Sequence, residues 1–429
     1  MPPSSRLSAP GRFESRPALP RPAPSGSAPL RVALLGLGTV GAEVARALVE
    51  RGDDLQAAAR GRRLTLVAVG VRDPGRKRSV SLPPDVRRTD DLASVATAPD
   101  VDIVVELIGG LEPPGALVSW ALDARKAVVT ANKALLARQG PRLEALARSR
   151  RVPLRFEAAV GGGIPILAPL GGDLAANRWH ALRGIVNGST NFILSRMAES
   201  GDAFESVVAE ARARGYLEMD ASADVEGRDA ADKLAVLVRL TFGAWPDVGA
   251  IRRAPPALEG DGVPGIAGVS ARLVEGGRRE GMAIKLVACA RRLDDGRIDA
   301  SVLLAAIPDD RPLARTAAAD NRIELEGEPV GRLAFSGPGA GGAATSSAVL
   351  GDILAIARGE GSTWGGLPPA GPLAASRLGD GLEGPRRWLV GDAPGEGGLT
   401  SSLTLAALRS QLAGWEGPIP TFIPVLDEA

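Results

Sequence analysis

The stretch Leu30-Arg-Val-Ala-Leu-Leu-Gly-Leu-Gly-Thr-Val-Gly41 decides the fold. Leu30–Leu35 is a short apolar strand. It runs into Gly36, Gly38 and Gly41 at G-x-G-x-x-G spacing, and Ala42–Arg51 then repeats apolar residues at helical spacing. A strand, a glycine turn and a helix in that order form the phosphate-binding opening of a dinucleotide-binding βαβ unit. Gly36 makes the tight turn, Gly38 lets the backbone approach a pyrophosphate, and Gly41 lets the helix pack close to the sheet. Thr39 and Val40 complete the loop, where N–H groups at the helix start face phosphate.

Outward from this unit the pattern repeats. Leu64–Val71, Val101–Ile108 and Ala127–Thr130 read as further strands, with helical stretches near Pro114–Arg125 and Leu143–Ser149, and Leu154–Val160 supplies one more strand. Alternating strands and helices predict an α/β Rossmann fold, a doubly wound parallel sheet, over residues 30–160. After Gly163 the character changes. Helices over Asn191–Ser200, Ala203–Arg214 and Asp229–Leu240, with strands over Leu286–Arg291, Ile298–Leu304 and Val330–Phe335, predict a second, mixed α/β domain over 161–335. Residues 336–358 bring a glycine loop and a closing helix, and 359–429 form a Gly- and Pro-rich extension. Residues 1–29 hold eight Pro, six Ser and four Arg against one acid, and read as a disordered leader.

Composition removes several kinds of chemistry. The chain has 429 residues with 51 basic and 50 acidic side chains, so its net charge of +1 gives no electrostatic case for nucleic acid. One Cys (Cys289) excludes an internal disulfide, and one His (His180) excludes a multi-His metal centre. Both single residues read as packing rather than chemistry. No apolar run reaches the ~18 residues of a membrane helix, which leads us to expect a soluble, cytoplasmic protein. Only five basic residues are Lys (Lys77, Lys126, Lys133, Lys233, Lys285), the rest being Arg. Lys can give up a proton when desolvated and Arg cannot, so each retained Lys draws notice.

Two of those lysines sit in suggestive places. Lys133 follows the strand Ala127–Thr130, and ligands of open α/β sheets bind at the carboxyl ends of strands. Lys233 lies four residues after Asp229 at a helix start, on the same face. Glu218, Asp220, Asp224, Glu226 and Asp229 precede it within twelve residues. This segment reads as a pocket for a substrate amine or as a surface ion pair; the acid spacing of an EF-hand is absent. At the end of the second strand stand Arg72 and Asp73, with Lys77 and Arg78 following. Basic groups there suit the 2′-phosphate of NADP, and Asp73 the ribose of NAD; the balance leans slightly to NADP.

Seven motifs in order resemble homoserine dehydrogenases. They are Gly36–Gly41; Val105-Glu-Leu-Ile-Gly-Gly110 with Glu112-Pro113; Val129-Thr-Ala-Asn-Lys133; Glu157-Ala-Ala-Val-Gly-Gly-Gly-Ile-Pro165; Gly184-Ile-Val-Asn-Gly-Ser-Thr-Asn-Phe-Ile-Leu194; Gly215–Lys233; and Gly337–Asp352. The resemblance covers residues 30–358. It implies reversible NAD(P)H-dependent reduction of L-aspartate 4-semialdehyde to L-homoserine, the branch step toward threonine, methionine and isoleucine. Carried over by position, Lys233 is the proton donor, Asp229 binds and orients the substrate, Glu218 holds its α-amino group, and Lys133 sits between cofactor and substrate. Hydride addition makes an alkoxide that needs a nearby cation or acid, and an ammonium serves if burial or a second Lys draws its pKa down.

The resemblance further implies that Gly341 approaches the cofactor. It also implies that the Glu157 carboxylate, with the carbonyls of Val160, Gly162 and Ile164, forms a monovalent-cation site for Na⁺ or K⁺, and that the chain is a homodimer or homotetramer. There are departures. Leu111 stands where the family has Thr. Leu217 and Ala221 differ around Glu218, and residues 359–429 are too short for a complete effector-binding ACT domain. A dehydrogenase of another amino-acid semialdehyde and a catalytically silent dinucleotide-binding regulator remain as alternatives.

Overall fold

The computed structural model describes residues 28–217, 219–391, 398–413 and 421–426. The leader up to residue 27 and Glu218 therefore lie outside the described residues. The first sheet holds β1 (Leu30–Leu35), β2 (Leu64–Gly70), β3 (Arg87–Thr89), β4 (Ile103–Glu106), β5 (Ala127–Thr130) and β6 (Leu154–Arg155). Its order is β3-β2-β1-β4-β5-β6, and every pairing is parallel. This is the doubly wound arrangement, whose chain reverses direction between β1 and β4. Helices cover both faces: α1 (Thr39–Glu50), α2 (Gly52–Ala58), α3 (Leu92–Thr97), α4 (Pro114–Asp123) and α5 (Lys133–Arg150). The central strands are mostly apolar and almost wholly buried because both faces are covered.

Several sequence expectations change here. The helix expected over Leu143–Ser149 begins ten residues earlier and passes through Pro141. The ring of Trp245 occupies the space beside Gly140, so this turn is held by packing rather than by local preference. The strand expected over Leu154–Val160 stops at Arg155, and Glu157–Ala159 turn as a short 3₁₀ helix. The short elements α2, α3 and β3 had not been foreseen.

The second half begins with α6 (Leu167–Gly171), β7 (Arg178–Ile185), α7 (Gly188–Ser200), α8 (Phe204–Ala213), α9 (Ser222–Val225), α10 (Arg228–Phe242) and α11 (Ala271–Arg279). Then come β8 (Met282–Arg292), β9 (Ile298–Pro308), β10 (Asp320–Glu328), β11 (Gly331–Pro338) and α12 (Gly342–Ala357). β12 (Leu378–Gly379) completes a mixed sheet of order β11-β10-β7-β8-β9-β12. Every residue of α10 except Arg228 is buried. That burial forces its polar side chains to find partners inside the protein. Cys289 on β8 is half-buried beside Ile185, Val287 and Ile307, and burial pushes its thiol up to about 11.

α12 returns to the first sheet. Its Val349, Leu350, Ile353 and Ile356 join the core made by Val32, Leu34, Val44 and Leu48. The chain ends in a small antiparallel sheet of β13 (Trp388–Gly391), β14 (Gly398–Leu399) and β15 (Thr421–Pro424), with α13 (Leu405–Leu412) packed on it. Trp388, Leu408 and Phe422 form its core against Leu303 of β9.

Candidate active site

The glycine turn lies at the point where the sheet order reverses. Gly36 has φ +105°, and a Cβ there would stand 2.8 Å from the carbonyl oxygen of Leu107 at the end of β4. A Cβ on Gly41 would run into the carbonyl oxygen of Gly36. Gly38 is different: nothing lies within 4 Å of its Cβ direction, and it caps α1 without a side-chain bond. The helix start is thus bare, with unpaired N–H groups at Thr39 and Val40 and open space before them. That fits a bound pyrophosphate. Gly341 caps α12 at φ +117° with open space beside it, and Gly342 rests against the Thr39 methyl. The two helix starts therefore meet over the same crevice.

The ends of β4 and β5 are tied together. Glu106, fully buried, accepts from the N–H groups of Ile108 (2.8 Å) and Gly109 (3.0 Å) and from the Thr130 hydroxyl (2.6 Å). Asn132 caps α5 by accepting from Leu135 N–H at 3.0 Å, and donates to the Gly110 carbonyl at 2.7 Å. Lys133 is the first residue of that helix, so this scaffold fixes where its stem begins.

From there Lys133 reaches the second half of the molecule. Its Nζ lies 3.0 Å from Oδ1 of Asp229, while Lys233 Nζ lies 2.8 Å from Oδ2. Asn187, capping α7, donates to the same Oδ2 at 2.8 Å and to Asp224 at 2.6 Å. Lys233 also donates to the Val186 carbonyl at 2.6 Å. Asp232 on the same helix pairs with Arg138 of α5 at 2.7 Å. The side chains of Asp229 and Lys233 are nearly buried, at 9% and 11% exposed, whereas that of Lys133 is 38% exposed. Burial alone would raise the Asp229 carboxyl, but the two ammoniums overcome it and hold it well below the usual carboxylate range. The Asp229 carboxylate in turn raises Lys133, against the opposing effect of burial. A lowered pKa is therefore not what this structure gives Lys133. Asp224 is raised, chiefly by burial.

The structure thus brings Lys133, Asp229 and Lys233 to one point between the two sheets. Asn187 and the Glu106–Thr130 tie join the site through the structure alone. Asn187 meets Asp229 across 42 residues, and α7 begins at Gly188, three residues before the helix expected from Asn191, which makes Asn187 its cap.

Other expected residues fall elsewhere. Arg72 is exposed on the loop after β2. Asp73 folds back on its own turn, accepting from the N–H groups of Gly75 (2.9 Å) and Arg76 (3.1 Å). Beside them a cavity of about 150 Å³ is walled by Arg76, Lys77, Arg78 and Arg88, and Arg72 is not among its lining residues. The Glu157 carboxylate is fully engaged by backbone: it accepts from Ile166 (2.7 Å), Leu167 (2.8 Å) and Ala168 (2.5 Å) at the start of α6. Burial, with Asp352 nearby, still pushes it up to about 7. It thereby caps the start of α6. Among the described residues, no cluster of three or more His, Cys, Asp and Glu could hold a metal, and no helix is long and apolar enough to cross a membrane.

Comparison with known proteins agrees with this layout. Residues 36–157 match the family model of the homoserine dehydrogenase NAD-binding domain, and residues 165–354 match that of homoserine dehydrogenase. A homoserine dehydrogenase from Synechocystis sp. is 42% identical over 333 residues, covering 76% of this chain and 73% of that protein. Among solved structures, a homoserine dehydrogenase from Thiobacillus denitrificans is similar with a TM-score of 0.80 at 31% identity, over 93% of this chain and 99% of that one. The S. aureus enzyme is similar with a TM-score of 0.74 at 28% identity, over 94% and 100%.

Proposed function

This chain belongs to the homoserine dehydrogenase family, and on that premise we propose that Lys233, Asp229 and Lys133 carry its proton chemistry. The protein is an NAD(P)-dependent oxidoreductase that interconverts L-aspartate 4-semialdehyde and L-homoserine, in amino-acid biosynthesis. The reduced nicotinamide supplies the hydride when bound. Gly36, Gly38, Thr39, Val40, Gly41 and Gly341 hold the dinucleotide.

Lys233 gives a proton to the substrate's aldehyde oxygen as that oxygen becomes an alkoxide. An ammonium has three N–H donors; two of them meet Val186 and Asp229, which leaves one to point at substrate. Asp229 fixes Lys233 and Lys133 at a shared position. Lys133, at the open side of the crevice, holds substrate against the cofactor and passes protons to solvent. Glu218 binds the substrate's α-ammonium. The single observation that supports this assignment is the Asp229 carboxylate held between two lysines at the junction of the two sheets.

The finer points of the reading belong to the same proposal. The preferred cofactor is NADP, because four cations and no carboxylate wall the cavity at the end of β2. A Na⁺ or K⁺ ion, where present, is held by Glu157 with the carbonyls of Val160, Gly162 and Ile164. The dinucleotide unit spans 30–160 and the catalytic unit 161–335, with 336–358 returning to the first. The protein works in the cytoplasm as a homodimer or homotetramer.

The test is L-homoserine-dependent reduction of NAD and NADP by the purified chain, with Lys233→Ala alongside. Turnover in the wild type and its loss in Lys233→Ala, by 10²-fold or more, with nucleotide binding retained, is the expected result. Equal turnover in both would remove Lys233 from the mechanism.

A further inference from the structure

Of the five lysines, Lys233 and Lys285 are buried, and the reaction accounts for Lys233. Lys285, on β8, is 4% exposed. Its ammonium donates to three neutral oxygens: Oδ1 of Asn191 (2.9 Å), Oγ of Ser195 (2.8 Å) and the Thr316 carbonyl (2.8 Å). Its three N–H donors are thereby spent. Among the described residues no carboxylate touches it, and Glu199, one turn beyond Ser195, acts on it from a distance. A buried ammonium without a counterion is costly, and an apolar side chain of similar length would fill the space without that cost. Packing alone therefore does not account for it.

What Lys285 holds is the helix that carries Asn187. β7 pairs with β8 as far as Gly184, opposite Ala288. Three residues further on, β7 has given way to Asn187 at the head of α7, and three residues back along β8 stands Lys285. Asn187, Asn191 and Ser195 follow at four-residue spacing, so they share one face of α7. Lys285 grips that face at its second and third members. The other jaw is the segment 316–320 between β9 and β10. Asn191 Nδ2 donates to the Thr316 and Asp320 carbonyls of this segment at 3.1 and 3.2 Å. A Cβ on Gly188 would stand 2.5 Å from the Ala319 carbonyl, so the segment lies hard against the first residue of the helix. At the head of the same face Asn187 donates to Asp229 and Asp224.

We propose that Lys285 is a positioning residue for the reaction: by tying α7 to β8 and to segment 316–320 it fixes Asn187, and through Asn187 the aim of Asp229 between the two lysines. The inference rests on the assignment of Asp229 and Lys233 made above. Lys285 is too buried to touch substrate or cofactor. It acts on rate because the side chain that orients Asp229 moves with its helix, and a displacement of about 1 Å can cost up to about 10²-fold. Methionine would fill the same space, but it would leave three oxygens without their donor and the helix free to shift or turn on the sheet.

The experiment is steady-state homoserine oxidation by the full chain near neutral pH. Wild type, Lys285→Met, Asn187→Ala and the double variant are compared, with NADP affinity and Tm measured alongside. Expected is a kcat about tenfold lower in Lys285→Met, with NADP affinity unchanged. In the Asn187→Ala background the same change should lower kcat by no more than about twofold, because residues on one chain of contacts are not additive. Ser195→Ala removes one of the three acceptors at a half-buried position. It should lower kcat severalfold alone and not in Asn187→Ala, and it carries the test if Lys285→Met does not fold. An unchanged kcat in folded Lys285→Met, with a lowered Tm as its whole effect, would overturn the proposal. So would losses that multiply in the double variant, or an Asn187→Ala enzyme as fast as wild type. Wild-type turnover and its loss in Lys233→Ala test the catalytic assignment by themselves. A failure there, which would take this proposal with it, is thus told apart from a failure here.

Discussion

Asn187 and Asp229 are joined by a 2.8 Å hydrogen bond that links the start of α7 to the start of α10. The Oδ1 of Asn187 caps its own helix at Thr190 N–H, so its amide nitrogen is the end that faces the carboxylate. One side chain thereby sets both a helix terminus and the orientation of the group between the two lysines.

Replacing Asn187 with Ala should therefore have two separable effects. Loss of the cap costs about 1 kcal/mol of stability, seen as a lowered Tm. Misorientation of Asp229 lowers kcat by roughly 10–100-fold, a range expected when a positioning contact is lost. Asn187→Asp keeps the cap but places a third carboxylate beside Asp229 and Asp224, so it should restore Tm in part and not kcat. Recovery of both by Asp would mean that the residue acts only as a cap.

Cofactor preference should be governed by the cations around the small cavity beyond β2. Arg78→Ala and Arg88→Ala are expected to lower kcat/KM with NADP about tenfold or more, as for loss of one charge-assisted phosphate contact, and to leave NAD nearly unchanged. Arg72→Ala should move the ratio little. Steady-state rates with both nucleotides decide it, and an equal loss with NAD would show that these residues hold the loop rather than the phosphate.

Lys285 gives a stability signature in alkali. It is buried, donating to Asn191 (2.9 Å), Ser195 (2.8 Å) and the Thr316 carbonyl (2.8 Å). Burial lowers its pKa from 10.5 to about 8, only partly opposed by Glu199. Between those values the unfolded chain binds more protons than the native one, so stability rises with pH there; below pH 8 the full penalty of the buried charge is present. The stability difference between wild type and Lys285→Met should therefore shift in favour of wild type by up to roughly 3 kcal/mol from pH 8 to 10.5. Urea unfolding at several pH values measures it, and a flat difference would contradict a depressed pKa.

Glu144→Ala should be among the most damaging single changes outside the active site. It strips a fully buried Arg239 of its counterion and leaves the Trp245 N–H unpaired. Breaking such a pair costs about 3–5 kcal/mol. Thermal unfolding of the variant is the check, and a change below 1 kcal/mol would show that solvent reaches Arg239.

The first unit was legible because its signal is local: an apolar run, three glycines and a helical repeat, all within twenty residues of Leu30. Lys133 and Lys233 were legible by topology and spacing. Other features depended on contacts far along the chain. Pro141 inside α5 makes sense only once Trp245 packs against Gly140, a hundred residues away. β10 was overlooked because Asp320-Asn-Arg-Ile-Glu-Leu-Glu buries only alternate residues, with Ile323 and Leu325 its sole apolar ones in that run. The capping role of Glu157 was hidden because its partners, the N–H groups of 166–168, become a helix start only after the chain turns at Gly161 and Gly162.

α12 completes the core of the first sheet, although some 180 residues of other structure separate it from β6. A ribosome releases the chain from its N-terminus, so β1–β6 emerge long before Val349 and Ile353 can cover Val32 and Leu34. Until then the part of that core which α12 covers is left open, and α1 and α2 alone lie over it. The core of the first unit is for that reason the last part of the dinucleotide domain to be completed, since it closes only when α12 has been made.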